Sequence, residues 1–245
     1  MQVEDRPDAL LTDCGMPSDT FNVACRARLS PATVLDRIRQ SIAWFQGRRH
    51  PFSWWVAPGD QPTELGQMLV AAGLEAADDE LAMSADLRRI RLADLAPNRL
   101  DIRRVKSPSE LVTFAQINAA NWLPPNEHVL RFYERGARVL FTPESPFWYY
   151  VGYVDGEAVA TAELTLGGGV VGLFNISTLA AHRHRGYGSA MTVQPLVDAA
   201  AAGYDTAVLQ AAPDGVGVYR RVGFTTYGEV CEYKPREQEA VSGKR

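Results

Sequence analysis

Apolar residues recur at helical spacing twice in the first third of the chain. Leu35, Ile38, Ile42 and Phe45 follow Ser30-Pro31, a capping residue with proline at the first helical position, and the run ends at Gly47. Pro51 to Val56 is a short strand-like stretch. Pro62 then opens a second helix bearing Leu65, Met68 and Leu69, which Gly73 closes. Alternation around Leu81-Ala82-Met83 predicts a returning strand.

The stretch Leu92 to Asn98 has no periodicity and holds Pro97-Asn98, so it reads as a linker. Beyond it the pattern starts afresh. Ile102 to Val105 is strand-like. Ser107-Pro108-Ser109-Glu110 has the form of a capping box and leads Leu111, Phe114 and Asn118 along one helical face. Pro124-Pro125-Asn126 separates this helix from another, with Val129, Leu130, Tyr133 and Ala137 inward. Strand-like runs at 147–153 and 158–164 flank Asp155-Gly156, a hairpin signal. A third strand, Val170 to Thr178, follows Gly167-Gly168-Gly169. After a glycine loop comes a helix with Ala190, Val193, Val197 and Ala200 on one face and Pro195 within it, where a kink or a lost ladder bond is expected. Ala207 to Gln210 reads as a buried strand, Tyr219 to Gly223 as a short helix, and Phe224 to Tyr233 as a last strand.

This order, β-α-α-β-β-β-α-β-α-β, predicts an α/β fold with a mixed sheet flanked by helices. The front part carries an imperfect copy of the end of that pattern. Trp54 to Pro58, then a helix closing on Ala72-Gly73-Leu74, mirrors Leu209 to Pro213, then a helix closing on Val222-Gly223-Phe224. We therefore expect a front domain at 1–95, a back domain at 100–236 and a flexible tail at 237–245.

Composition narrows the function. A net charge of -4 gives no electrostatic footprint for nucleic acid or an anionic membrane. The polar, acidic first residues lack the cationic and apolar regions of a leader, and no later run approaches a membrane span, which predicts a cytoplasmic protein. Cys14, Cys25 and Cys231 are few and far apart, and the four histidines form no ligand set, so neither a disulfide framework nor a metal is expected.

The chemistry points to Arg183-His184-Arg185-Gly186-Tyr187-Gly188 at a helix start. Unpaired N–H groups and the positive dipole end bind phosphate once side chains no longer obstruct it. Gly186 and Gly188 remove the side chains, while Arg183 and Arg185 add positive charge. The loop lacks the Gly-Lys-Ser/Thr of nucleoside-triphosphate sites and the third glycine of dinucleotide sites.

These residues resemble the GNAT superfamily of N-acetyltransferases, whose Arg/Gln-x-x-Gly-x-Gly/Ala signature is met by Arg183, Gly186 and Gly188, and the resemblance extends in element order over roughly residues 100 to 236. It implies a GNAT acyl-CoA N-acyltransferase fold, tandem-like, with a truncated, non-catalytic front copy. Acetyl-CoA would be the co-substrate and a primary amine of a small molecule or peptide the acceptor, in a monomer or homodimer. Backbone amides of His184 to Ser189 would hold the coenzyme pyrophosphate, and Ile176, Ser177 and Thr178 would pair with the pantetheine arm. Asp214 stands where many members carry asparagine and is placed with the coenzyme set. Tyr219 corresponds to the family's tyrosine before a helix-ending Gly-Phe. A phenol of reference pKa about 10 stays protonated at neutral pH and can protonate a departing thiolate.

An attacking amine must also lose a proton, and Glu163, in an apolar strand, and Asn175, with Ser177 beside the expected cleft, are the candidates for handling it, with a solvated or ion-paired strand residue the alternative for Glu163. Asn118, Asn121 and Trp122, on the helix whose counterpart lines the family's acceptor pocket, are candidate substrate contacts, with local packing the alternative for each. Two further readings stay open: a non-catalytic acyl-CoA sensor, and an acyl-CoA reaction without an acceptor.

Overall fold

The computed structural model describes residues 1–90, 100–142 and 144–236. The expected linker at 92–98 and the tail at 237–245 lie outside them. By compactness the chain divides into two units: Met1–Glu80 with the chain from Gly228 onward, and Leu81–Tyr227.

In the first unit a meander of β1 (Gln2–Arg6), β2 (Ala9–Asp13) and β3 (Val23–Cys25) leads through α1 (Val34–Gln46) to β4 (Ser53–Val56), parallel to β3. Then come α2 (Leu65–Ala71) and the first half of β5 (Leu74–Asp86). The core packs Ile38, Phe45, Phe52, Trp54 and Leu69 between helices and sheet, with Phe45 stacked on Phe52 at 4.3 Å. The three opening strands were not expected from sequence. β1 is a charged outer strand paired to β2 alone within this unit, and such a strand shows no apolar alternation.

The second unit contains β6 (Asp101–Arg104), α3 (Pro108–Ala119), α4 (Glu127–Leu140), β7 (Phe147–Val154), β8 (Glu157–Gly167), β9 (Val170–Thr178), α5 (Tyr187–Ala201), β10 (Thr206–Ala211), α6 (Val216–Val222) and the start of β11 (Thr225–Pro235). Its strand order is β5-β10-β9-β8-β7-β6, with β9 and β10 parallel and the other pairs antiparallel. Ala162, Leu164, Leu173 and Leu209 pack beneath Met191 and Leu196 of α5. Pro195 leaves α5 one continuous element.

Local chemistry explains the boundaries. The hairpin at Asp155-Gly156 has φ of 51° and 85°, as a type I′ turn requires. Ser107 accepts from the Glu110 N–H at 3.3 Å, and the Glu110 carboxylate accepts from the Lys106 N–H at 2.5 Å. Ser107→Ala is expected to cost about 1 kcal/mol, read as a lower denaturant midpoint.

The repeat seen in sequence is structural. β4-α2-β5 and β10-α6-β11 are equivalent β-α-β units whose helices close on Gly73 and Gly223, both left-handed, with φ of 99° and 115°. The final strand of each repeat has a pairing within one of the units. Leu81–Asp86 of β5 pairs with β10 in the second, and Cys231–Tyr233 of β11 pairs with β4 in the first. No helix among the described residues is long and apolar enough to cross a membrane.

Candidate active site

β9 and β10 pair in register only at Val171↔Ala207 and Gly172↔Val208. β9 nevertheless continues to Thr178 and β10 to Ala211, so the two strands part toward their carboxyl ends. Ligand crevices form at such ends in sheets with parallel strands. Here the crevice is a cleft of ≈ 850 Å³ lined by Ile176 to Thr178 on one side, Asp214, Gly215 and Tyr219 on the other, and the start of α5.

Beyond its last pair with β10, β9 carries a bulge. Thr161 faces Ser177 and Glu163 faces Phe174, so two steps along β8 match three along β9. The extra residue lies at Asn175-Ile176, and Asn175 takes a left-handed φ of 50°.

At the start of α5, His184 (φ 61°) and Gly186 (φ 82°) are left-handed with Arg185 between them, an alternation that turns successive N–H groups to one side. The Gly186 carbonyl accepts the first helical bond, from Ala190 N–H at 3.1 Å, so the N–H groups of Tyr187, Gly188 and Ser189 precede the ladder. A Cβ on Gly188 would meet nothing within 4 Å. The helix terminus is thus approachable by a bulky anion, and Arg183, Arg221, His182 and His184 line the same cleft. A pyrophosphate fits this donor set in shape and charge.

The structure brings Ile176, Ser177, Thr178, Arg183, His184, Gly186, Tyr187, Gly188, Ser189, Asp214, Tyr219 and Asn121 around this one cleft. Arg185 is outside the lining, its guanidinium donating to the Ala181 carbonyl at 3.2 Å. Asn121 accepts from the Ser177 hydroxyl at 2.9 Å, which ties the end of α3 to the cleft wall. Trp122 is 43% exposed and does not line the cleft. Asn118 is buried and donates to the Thr161 hydroxyl at 3.3 Å.

Tyr219 is half-buried on α6, its ring edge-on to Phe224 at 6.1 Å. Gly215 is glycine of necessity, because a Cβ there would lie 2.8 Å from the Tyr219 ring. Glu163 and Asn175 lie outside the lining. Glu163 is buried and accepts from Asn175 Nδ2 at 2.8 Å, Tyr133 OH at 3.3 Å and Thr165 OH at 3.4 Å. Burial pushes its carboxyl above the ordinary carboxylate range, and these three hydrogen bonds oppose the rise. Sequence reasoning missed His182, Thr192 and Arg221 in the cleft and Tyr133 behind it. The polar tip of Tyr133 within an aromatic helical stripe was the one available signal.

Residues 113–224 match the family described as "Acetyltransferase (GNAT) family". No curated protein matches the chain significantly. Among solved structures, a GCN5-related N-acetyltransferase from Kribbella flavida superposes with TM-score 0.73 at 20% identity, over 95% of this chain and 87% of that one. A conserved protein of unknown function from Staphylococcus epidermidis gives TM-score 0.71 at 13% identity, over 95% and 92%. A tandem GNAT protein from the clavulanic acid biosynthesis pathway gives TM-score 0.60 at 15% identity, over 92% and 77%. Residues 113–224 therefore match a GNAT-family acetyltransferase domain, and the solved structures show a GNAT fold, a tandem GNAT protein among them.

Proposed function

We propose that the protein transfers an acetyl group from acetyl-CoA to a primary amine of a small molecule or peptide by direct attack. The observation that carries this reading is the cleft where β9 and β10 part, with an α5 terminus stripped of side chains at its mouth and Tyr219 in its wall. The pyrophosphate takes the N–H groups of residues 187–189, with Arg183 and Arg221 nearby, and pantetheine runs along Ile176 to Thr178. The amine nitrogen bonds to the thioester carbon, the carbon–sulfur bond breaks, and the sulfur takes the Tyr219 proton. The amine proton leaves to water in the open cleft, and Tyr219 is reprotonated from solvent.

The front half, roughly residues 1–95, is read as a non-catalytic copy beside a catalytic domain at 100–236. The corresponding crevice between β3 and β4 is zipped shut. Gln61 N–H donates to the Ala27 carbonyl at 2.9 Å, and Leu29 N–H donates to the Gln61 carbonyl at 3.0 Å. Arg28 and Gln61 bridge in parallel register, and Ser30-Pro31 stands where the glycine loop would be.

Thiol release from acetyl-CoA across a panel of amines, amino acids, aminoglycosides and peptides tests the reading. Acceptor-dependent release is expected. Tight coenzyme binding without release against any acceptor makes the protein a sensor, and release without an acceptor makes it another kind of acyl-CoA enzyme. Either result overturns the proposal.

A further inference from the structure

Asn175 carries a left-handed backbone without being glycine, in the strand that walls the cleft. Asparagine tolerates that conformation better than most residues, yet it persists only where surroundings hold it. Here it is held at two points. Its side-chain Nδ2 donates to Glu163 Oε2 at 2.8 Å and to Tyr133 OH at 3.2 Å, and Tyr133 itself donates to the same carboxylate oxygen. Its backbone carbonyl accepts from Thr161 OH at 2.9 Å, and Thr161 is held in turn by Asn118 Nδ2 at 3.3 Å.

Glu163, Tyr133, Asn118 and Thr161 are 7%, 5%, 4% and 0% exposed, so the exposed Asn175 is held from behind by buried partners. Ile176, the next residue, lines the cleft. The dihedrals at Asn175 therefore set the direction in which the Ile176 N–H and the following strand face the coenzyme.

We propose that Glu163 and Thr161 are positioning residues that lock the β9 bulge from behind, Glu163 through the Asn175 side chain and Thr161 through its carbonyl. Glu163 does not act as the base. A general base must reach the proton it removes, and Glu163 has no place in the cleft lining. Among the described residues its hydrogen bonds all come from neutral groups inside the protein, on α4, β8 and β9. Tyr149 faces it across β7, and burial followed by the Glu163 charge holds the Tyr149 hydroxyl far above the ordinary phenol range.

The kinetic half of the test rests on the acyl-transfer reading, whereas amide exchange does not. Glu163→Ala is expected to lower kcat about 10²-fold, the scale of an ångström-level misplacement, with the KM for acetyl-CoA moving less than about threefold. Glu163→Gln keeps an oxygen acceptor for Asn175 and Tyr133, and is expected to recover kcat to within about threefold of wild type with the acid limb of the pH profile unmoved. Thr161→Val releases the other clamp at nearly constant shape and is expected to lower kcat in the same direction. It also keeps the test alive if Glu163→Ala fails to fold.

Hydrogen exchange at the Ile176 amide should accelerate in Thr161→Val and Glu163→Ala, and not in Glu163→Gln. A Glu163→Gln variant as slow as Glu163→Ala, with the acid limb lost, makes Glu163 the base and overturns the proposal. Unchanged Ile176 exchange in both clamp variants overturns it equally. If wild type releases no thiol with any acceptor, the acyl-transfer reading fails and exchange alone decides the clamp.

Discussion

Gly188→Glu is expected to abolish coenzyme A binding and to leave the protein folded. The two effects have opposite signs for one reason. Gly188 lies in the first turn of α5, where a Cβ meets nothing within 4 Å, so the new side chain enters the cleft and displaces no packed atom. Replacing a helical glycine and placing an anion near the positive dipole end are each favourable, and the free protein should gain about 0.5–1 kcal/mol. The same carboxylate occupies the space and the N–H donors that a pyrophosphate needs and repels its charge. Losing two charge-assisted hydrogen bonds, each about 1.5–3 kcal/mol, raises the Kd at least about 10²-fold. Calorimetric titration with coenzyme A and a thermal melt of the free protein read the two effects separately. Coenzyme binding within threefold of wild type would remove the α5 terminus from the site.

Removing one hydroxyl should be the more damaging change to turnover. Tyr219→Phe keeps the ring that packs edge-on to Phe224 and over Gly215, so neither α6 nor the cleft wall is disturbed. In the proposed reaction, what it deletes is the proton for the departing thiolate. A general acid contributes about 10²–10⁴-fold, and kcat should fall by that amount while coenzyme A affinity stays within about threefold. The loss should shrink when the acetyl group is carried on a better leaving thiol, since such a sulfur needs the proton less. A kcat within tenfold of wild type would return Tyr219 to a packing role.

Both predictions rest on features visible before folding. The glycine loop, its arginines and the tyrosine ahead of Gly223-Phe224 mark local backbone needs, namely a bare helix start and a left-handed helix end. Their meaning survives without knowledge of distant partners. The helix cap at Ser107, the Asp155-Gly156 hairpin and the β-α-β repeat were legible for the same reason, because each is settled by residues close in sequence.

What the sequence by itself determined is thus the mixed α/β order, the internal repeat and the phosphate-ready loop, all products of short-range periodicity and backbone sterics. Tertiary structure decided which strands pair and what Glu163 touches. β5 and β11 each look like one strand at the end of a β-α-β repeat, yet only the fold shows that β5 pairs with β10 and β11 with β4, partners distant in sequence. Glu163 looked like an acid in an apolar strand. Its partners Tyr133 and Asn175 lie 30 and 12 residues away, and hydrogen bonds over such separations leave no trace in local pattern. The parting of β9 from β10 at the cleft is of the same kind, since it is set by which residues pair between strands far apart in sequence.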